Sequence, residues 1–370
     1  MNSPVNSYNE WDPLEEVIVG NGFPEELPTL DFSFRYFFHD NIYGKAKWDE
    51  PGHRYITKRH VAEHNEDIQN FAELLTSHGI TVKRPKLPDG VTKTKTLGWE
   101  STNYPALNVR DMTMIIGNEI IETSPGCRWR YFENDYLKHI FLDYFKQGAK
   151  WTQSPRPIIT DNSFDIAHVS NDIKATEYYN KLRDGHDHHL DCGVEIMYDA
   201  ANCMRMGRHI LFNASNEHDR LGAVWLQRHL GSDYKVWIVN IADSHIDSLF
   251  LPIRPGLALI TDKNLPGQLP VPLQKWDFVY VPIVDRSADD YSKQAINLAS
   301  PKVWVNIFSI DDSTIICHTE YYDFLKTELS KYGVNVIPSQ IRHCEIFGGG
   351  HHCTTIDVRR KGKLENYFNE

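Results

Sequence analysis

The stretch EIFGGGHHCTTIDVRRKG, Glu345 to Gly362, sets Cys353 behind three glycines and two histidines and ahead of an alternating, strand-like run. A thiol in that position is a nucleophile, a metal ligand or a small apolar filler. Three other short segments carry groups that could work with it. NVRD ends at Asp111 directly before an apolar run, MYDAANCMRMGR carries Asp199 just ahead of another, and DSHIDS holds His245 and Asp247. Strand side chains alternate, so in H-x-D on an extended segment His245 and Asp247 can face one pocket together. Such a set suits a planar cation. A guanidinium presents a fork of N–H donors that carboxylates accept in bidentate fashion. Two acids hold it in plane, a thiolate attacks the central carbon, and a histidine protonates the departing amine. A third acid orients the histidine and favours its imidazolium form.

Each piece also has a structural reading. An aspartate before a strand is often a turn or cap residue, and H-x-D is short enough to recur by chance. The six cysteines are scattered, with no C-x-x-C, and read as buried small hydrophobes of a reducing compartment rather than a disulfide framework. In GHDHHLDC, residues His186, His188, His189 and Cys192 are ligand types for zinc, but no second ligand pair follows at a recognisable spacing. That segment reads as a solvated loop, and no metal is expected. His351 and His352 read as residues that shape the loop before Cys353. The GGG run lacks the lysine and hydroxyl residue of a phosphate loop.

Repeated elements must bring these segments together. Strand-like runs are Leu14 to Gly20, Asp111 to Glu122, His209 to Ser215, Asp233 to Ile241, Phe278 to Ile283, Lys302 to Ile310 and Ser313 to His318. Helical patterns lie between them, roughly Thr57 to His78, Arg130 to Gln147, Ser215 to Leu230 and Thr319 to Lys331. HGITV and YGVNV each end a helix at glycine and lead into a strand. No linker splits the chain, which predicts a single α/β domain over residues 1–370, with a long excursion from Pro155 to Cys192 carrying some helix.

The composition is 41% hydrophobic and 24% charged with a net charge of −11, within the ordinary globular range. Nucleic acid and anionic membrane are not expected partners, since both need a basic surface. No run approaches the roughly 20 apolar residues of a spanning helix, and the N-terminus lacks the pattern of a signal peptide. The expected location is cytoplasmic.

Six stretches in order resemble the arginine-dependent amidinotransferases, the family typified by glycine amidinotransferase: VNSYNEWDPLEEVIVG, IGNEIIE, DYFKQGAKW, YDAANCMRMGRHI, HIDS and GGGHHCTTIDVRRKG. The resemblance implies an α/β-propeller of pseudo-fivefold symmetry built from ββαβ modules. It implies a ping-pong reaction without cofactor or metal, in which L-arginine leaves its amidino group on a cysteine, ornithine departs, and an acceptor amine collects the group. Carried over by position, Cys353 matches the nucleophile, His245 the general acid/base, Asp199 the acid that orients it, and Asp111 and Asp247 the guanidinium ligands. A homodimer follows from the same likeness.

Departures from the family pattern fall on the substrate side. Asn202 stands where the pattern DAAD has a second aspartate. Asn264 falls at the position of an arginine that takes the amino-acid carboxylate, with Lys263 beside it, and Ala299 and Ser300 fall at a pair of serines. The connection before HID is short, and Ser244 replaces a methionine there, which predicts a wider mouth and an acceptor bulkier than glycine. A toxin or other secondary-metabolite precursor, as in the saxitoxin-type enzymes, fits that expectation. An arginine deiminase-like hydrolase or a glycine or lysine amidinotransferase is the alternative, and a non-catalytic subunit is a third reading.

Overall fold

The computed structural model describes residues 3–22, 31–38, 56–169, 173–183, 189–242, 245–284, 298–299 and 301–368. Ser244, Ser300, His186 and His188 lie outside the described residues.

Five three-stranded sheets share one plan. Two antiparallel strands are followed by a crossover, and a third strand then pairs parallel to the second. In the second module Thr113–Ile116 and Glu119–Glu122 pair antiparallel, helix Lys138–Lys146 crosses over, and Lys150–Gln153 lies parallel. The third repeats this with Cys203–Met206, His209–Asn213, helix Glu217–Leu230 and Lys235–Val239. The fifth uses Phe308–Asp311, Thr314–His318, helix Tyr322–Ser330 and Asn335–Ser339. The first module is assembled from both ends of the chain. Leu14–Val19 pairs antiparallel with Thr355–Arg360 and, after helix Lys58–Ser77, parallel with Thr81–Lys83. This is the propeller of ββαβ modules that the family likeness implies.

The fourth module departs from the plan. Its strands Phe250–Arg254, Leu257–Ile260 and Asp277–Tyr280 keep the pairing, but its crossover is two 3-10 turns, Leu265–Gln268 and Leu273–Lys275. Pro266, Pro270 and Pro272 remove the donors and the steric room that an α-helix would need. Its hairpin is also poorly marked in the sequence, because Pro252 and Pro255 interrupt the apolar run.

Inner strands are buried on both faces, as in Thr113–Ile116, Cys203–Met206, His209–Asn213 and Leu257–Ile260. The outer parallel strands Lys150–Gln153 and Lys235–Val239 turn mostly exposed or half-buried residues outward. That contrast explains why the strand-like runs read as unbroken apolar segments rather than alternations.

Three elements differ from the sequence expectation. Asp111 to Glu122 is a hairpin rather than one strand, turning at Gly117, whose φ of +59° is open to glycine at no steric cost. Arg130 to Gln147 is helical only over Lys138–Lys146; Arg128–Arg130 and Glu133–Tyr136 are 3-10 turns, because Arg130 and Glu133 are drawn inward to pair with each other. Lys302 to Ile310 is a 3-10 turn over Pro301–Val305 followed by a strand from Phe308. No described helix is long and apolar enough to cross a membrane.

Candidate active site

Each module delivers the segment just ahead of its first strand to one place. Asp111 ends the 3-10 turn Val109–Asp111 before the second module, and Asp199 immediately precedes the turn Ala200–Asn202 before the third. His245 immediately precedes the turn Ile246–Ser248, which carries Asp247, before the fourth. The turn Pro301–Val305 and Asn306 precede the fifth, and Cys353 precedes Thr355–Arg360 of the first. Pseudo-fivefold symmetry therefore converges five entry segments on a shared cavity of about 490 Å³, lined by Asp111, Asp199, His245, Asp247, Lys302 and Cys353 among others. All five expected chemistry-bearing residues face it. His245 and Asp247 reach it from a 3-10 turn, not from the extended segment that the H-x-D spacing suggests.

The thiol is buried and surrounded by acids. Cys353 Sγ donates to Asp247 Oδ2 at 3.3 Å. Burial pushes the thiol well above its usual range, and the charges of Asp247 and Asp111 push it further. Asp247 itself is held down at about 2; burial opposes its charge, but His352, His245 and Asn306 outweigh it. His352 Nδ1 lies 2.8 Å from Asp247 Oδ2 and its Nε2 3.4 Å from Glu10 Oε2, which fixes the ring between two carboxylates.

His245 Nε2 meets Asp199 Oδ2 at 2.9 Å, and its Nδ1 stands 3.7 Å from Asp111 Oδ1. Burial disfavours the imidazolium, yet Asp111, Asp199 and Asp247 raise the ring to about 9. Asp111 Oδ2 accepts from Arg130 Nη1 at 2.6 Å, while its buried Oδ1 has no hydrogen-bond partner. Burial raises this carboxyl against the pull of His245 and Arg130. A carboxylate oxygen that accepts no hydrogen bond, beside a thiol, is a ready acceptor for a cationic N–H donor.

The backbone around Cys353 is packed rather than loose. A Cβ on Gly349 would stand 2.0 Å from Asn108 Oδ1 and 3.0 Å from Cys353 Cβ, so any larger residue there must displace the Asn108 side chain and press on the thiol. Asn306 Oδ1 accepts from the backbone N–H groups of His352 and Cys353 at 2.7 and 2.9 Å, and its Nδ2 donates to the Asp247 carbonyl at 3.3 Å. Asn306 thus ties the fourth module's acid to the thiol's own turn. It sits inside an apolar run, so its type and position gave no warning of this part. Lys302, in the same run, is equally hidden.

The other expected positions divide between the cavity wall and the surface. Asn264 is exposed at the start of a 3-10 turn outside the cavity wall, and the Lys263 ammonium lies over the Tyr280 ring at 4.7 Å. Ala299 lines the cavity. Asn202 donates to Asp219 Oδ1 at 2.9 Å, filling a role that a second aspartate could not. His189 and Cys192 are exposed, and no group of residues able to hold a metal occurs among the described residues.

No model of a known protein family matches the chain. It is 34% identical over 370 residues to the mitochondrial glycine amidinotransferase of Xenopus tropicalis, covering 99% of this chain and 85% of that protein. Among solved structures, inosamine-phosphate amidinotransferase StrB1 from Streptomyces griseus has a TM-score of 0.81 at 30% identity, with 100% of both chains covered. SxtG, an amidinotransferase from Microseira wollei in the saxitoxin biosynthetic pathway, has a TM-score of 0.76 at 30% identity, covering 99% of this chain and 100% of that one.

Proposed function

Because this chain belongs to the amidinotransferases, we propose that it takes the amidino group of L-arginine onto Cys353, releases ornithine, and passes the group to an amine larger than glycine. The observation that carries this reading is a pair of carboxylates around one thiol. Asp247 bonds the sulfur, and Asp111 faces the same cavity with an oxygen unpartnered. A thiolate facing two negative charges is unfavourable until a cation arrives. A guanidinium neutralises both acids and brings an electrophilic carbon to the sulfur in the same event.

In the first half-reaction the Cys353 thiol loses its proton to solvent as the guanidinium binds, the thiolate sulfur bonds to the guanidinium carbon, and the bond from that carbon to the ornithine nitrogen breaks. The imidazolium of His245, kept charged near neutrality by its three aspartates, gives its proton to the leaving nitrogen. The amidino group stays on sulfur as a cation that Asp111 and Asp247 continue to hold. In the second half-reaction neutral His245 removes a proton from the acceptor amine, nitrogen bonds to the amidino carbon, and the carbon–sulfur bond breaks. Asp199 holds the ring in position through both steps.

The acceptor shares the cavity only after ornithine has left. A volume of about 490 Å³ lies in the range of pockets that enclose ligands far larger than glycine. Tyr36, Phe37, Phe38 and Phe164 supply an aromatic wall for its body. We place the chain with relatives such as SxtG that act in secondary metabolism, on a precursor amine.

Intact-protein mass after brief incubation with L-arginine alone tests the donor and the nucleophile together. The wild type is expected to gain one amidino unit and release ornithine, and Cys353→Ala to gain nothing. Citrulline in place of ornithine would move the protein to the hydrolases. A wild type that remains unmodified would remove arginine as donor.

A further inference from the structure

Arginine brings a carboxylate as well as a guanidinium, and a cavity walled by Asp111, Asp199, Asp219 and Asp247 repels it. Resting on the reading of arginine as donor, we infer that Lys302 binds that carboxylate and sets the preference for an amino-acid donor. Among the described residues, the wall holds two side chains of fixed positive charge, Arg130 and Lys302. Arg130 is fully spent, on Asp111 at 2.6 Å and on Glu133 at 2.7 Å. Lys302 is half-buried and has no carboxylate partner among the described residues.

The positions where the family likeness would place such a group do not compete. Asn264 is neutral, exposed and outside the wall, and the Lys263 ammonium is engaged with the Tyr280 ring. Lys302 lies on the short turn Pro301–Val305, immediately ahead of Asn306, which braces the Cys353 backbone. The fifth module thus contributes a cation to the ring of entry segments from which the other modules contribute acids, a histidine and the thiol. Leu298, Ala299 and Val303 beside it offer apolar surface for the donor's methylenes. An ammonium on a flexible stem suits a carboxylate whose position must adjust as the product leaves, where a guanidinium fork would impose one geometry.

Agmatine, arginine without its carboxylate, separates this contact from every other. Single-turnover amidination of Cys353 followed by mass gives a half-saturating concentration for each donor in the absence of any acceptor. A charge-assisted contact should make the wild type prefer arginine over agmatine by about ten- to hundredfold. Lys302→Gln should abolish that preference, and Lys302→Arg should restore most of it. Folding of the variants is read from agmatine itself, since adduct formation requires an intact site. A preference that survives Lys302→Gln unchanged, while the wild type is still amidinated by arginine, would overturn the assignment and leave the donor reading standing. A wild type that takes no group from arginine would overturn both.

Discussion

Cys353 is held in a state that resists its own chemistry. Its hydrogen bond to Asp247 and its burial both favour the thiol, so reactivity must arrive with a positive charge. Asp247→Asn removes one of the negative charges and should lower the pH midpoint for alkylation by iodoacetamide by about one to three units. The same change should slow amidination from arginine by about a hundredfold or more, because the guanidinium loses a bidentate acceptor. A midpoint that does not move would show that the carboxylate is not what keeps the sulfur protonated. At this scale the sequence is most legible where residue type announces chemistry. Asp111, Asp199, His245, Asp247 and Cys353 stand at the entries to apolar runs and do meet in one cavity. Asn306, His352 and Lys302 are not legible in the same way. Their importance comes from what they touch across the fold, Asn306 reaching the Cys353 turn from 47 positions away in sequence.

The element that matters most is the short turn ahead of each module's first strand. The 3-10 form lets a segment of three residues aim a side chain inward and still feed directly into a buried strand. Periodicity over so few residues cannot distinguish it from strand or helix, which is why His245–Asp247 and Lys302–Val305 read as extended in the sequence. Glycine run 348–350 is legible as a tight passage but not as a packed one. Gly349→Ala would drive a methyl to 2.0 Å from Asn108 Oδ1 and 3.0 Å from Cys353 Cβ. Overpacking of that kind should destabilise by about 1–3 kcal/mol, lowering the urea midpoint, and should alter the alkylation rate of Cys353 by displacing it. Gly267→Ala, which meets nothing within 4 Å, is the matched control and should leave both measurements unchanged. Equal behaviour of the two variants would mean that the loop relaxes without consequence for the thiol.

The whole molecule is closed by charge as well as by strands. Glu10 from the N-terminal segment, Arg110 from the entry to the second module, Arg205 from the third, and Asp357 and Arg360 from the closing strand form one buried network. Arg360 also donates to the Ser309 carbonyl of the fifth module. His352 links this network to Asp247, so the closure of the propeller and the seating of the site are one structure. Stability should then follow pH with a definite sign. Burial opposes the charges of Glu10 and Asp357, but their arginines hold both well below the ordinary carboxylate range; they stabilise above about pH 4, and that contribution is lost progressively as pH falls through the folded values. Burial holds Asp219 up at about 7 despite its hydrogen bonds from Ser215, so its contribution is lost as pH rises from about 4 to 7. His245 is raised to about 9; its contribution is complete below 6.5 and disappears as pH climbs through 9, a span worth roughly 3 kcal/mol. The free enzyme should therefore be most stable near pH 5 and weaken toward pH 9. Thermal unfolding midpoints across that range should fall for the wild type, and His245→Gln should flatten the decline between 6.5 and 9 while leaving the acid limb in place. A decline of equal steepness in the variant would mean that the three aspartates do not hold that imidazole charged, and that proton delivery to the leaving nitrogen must come from another group.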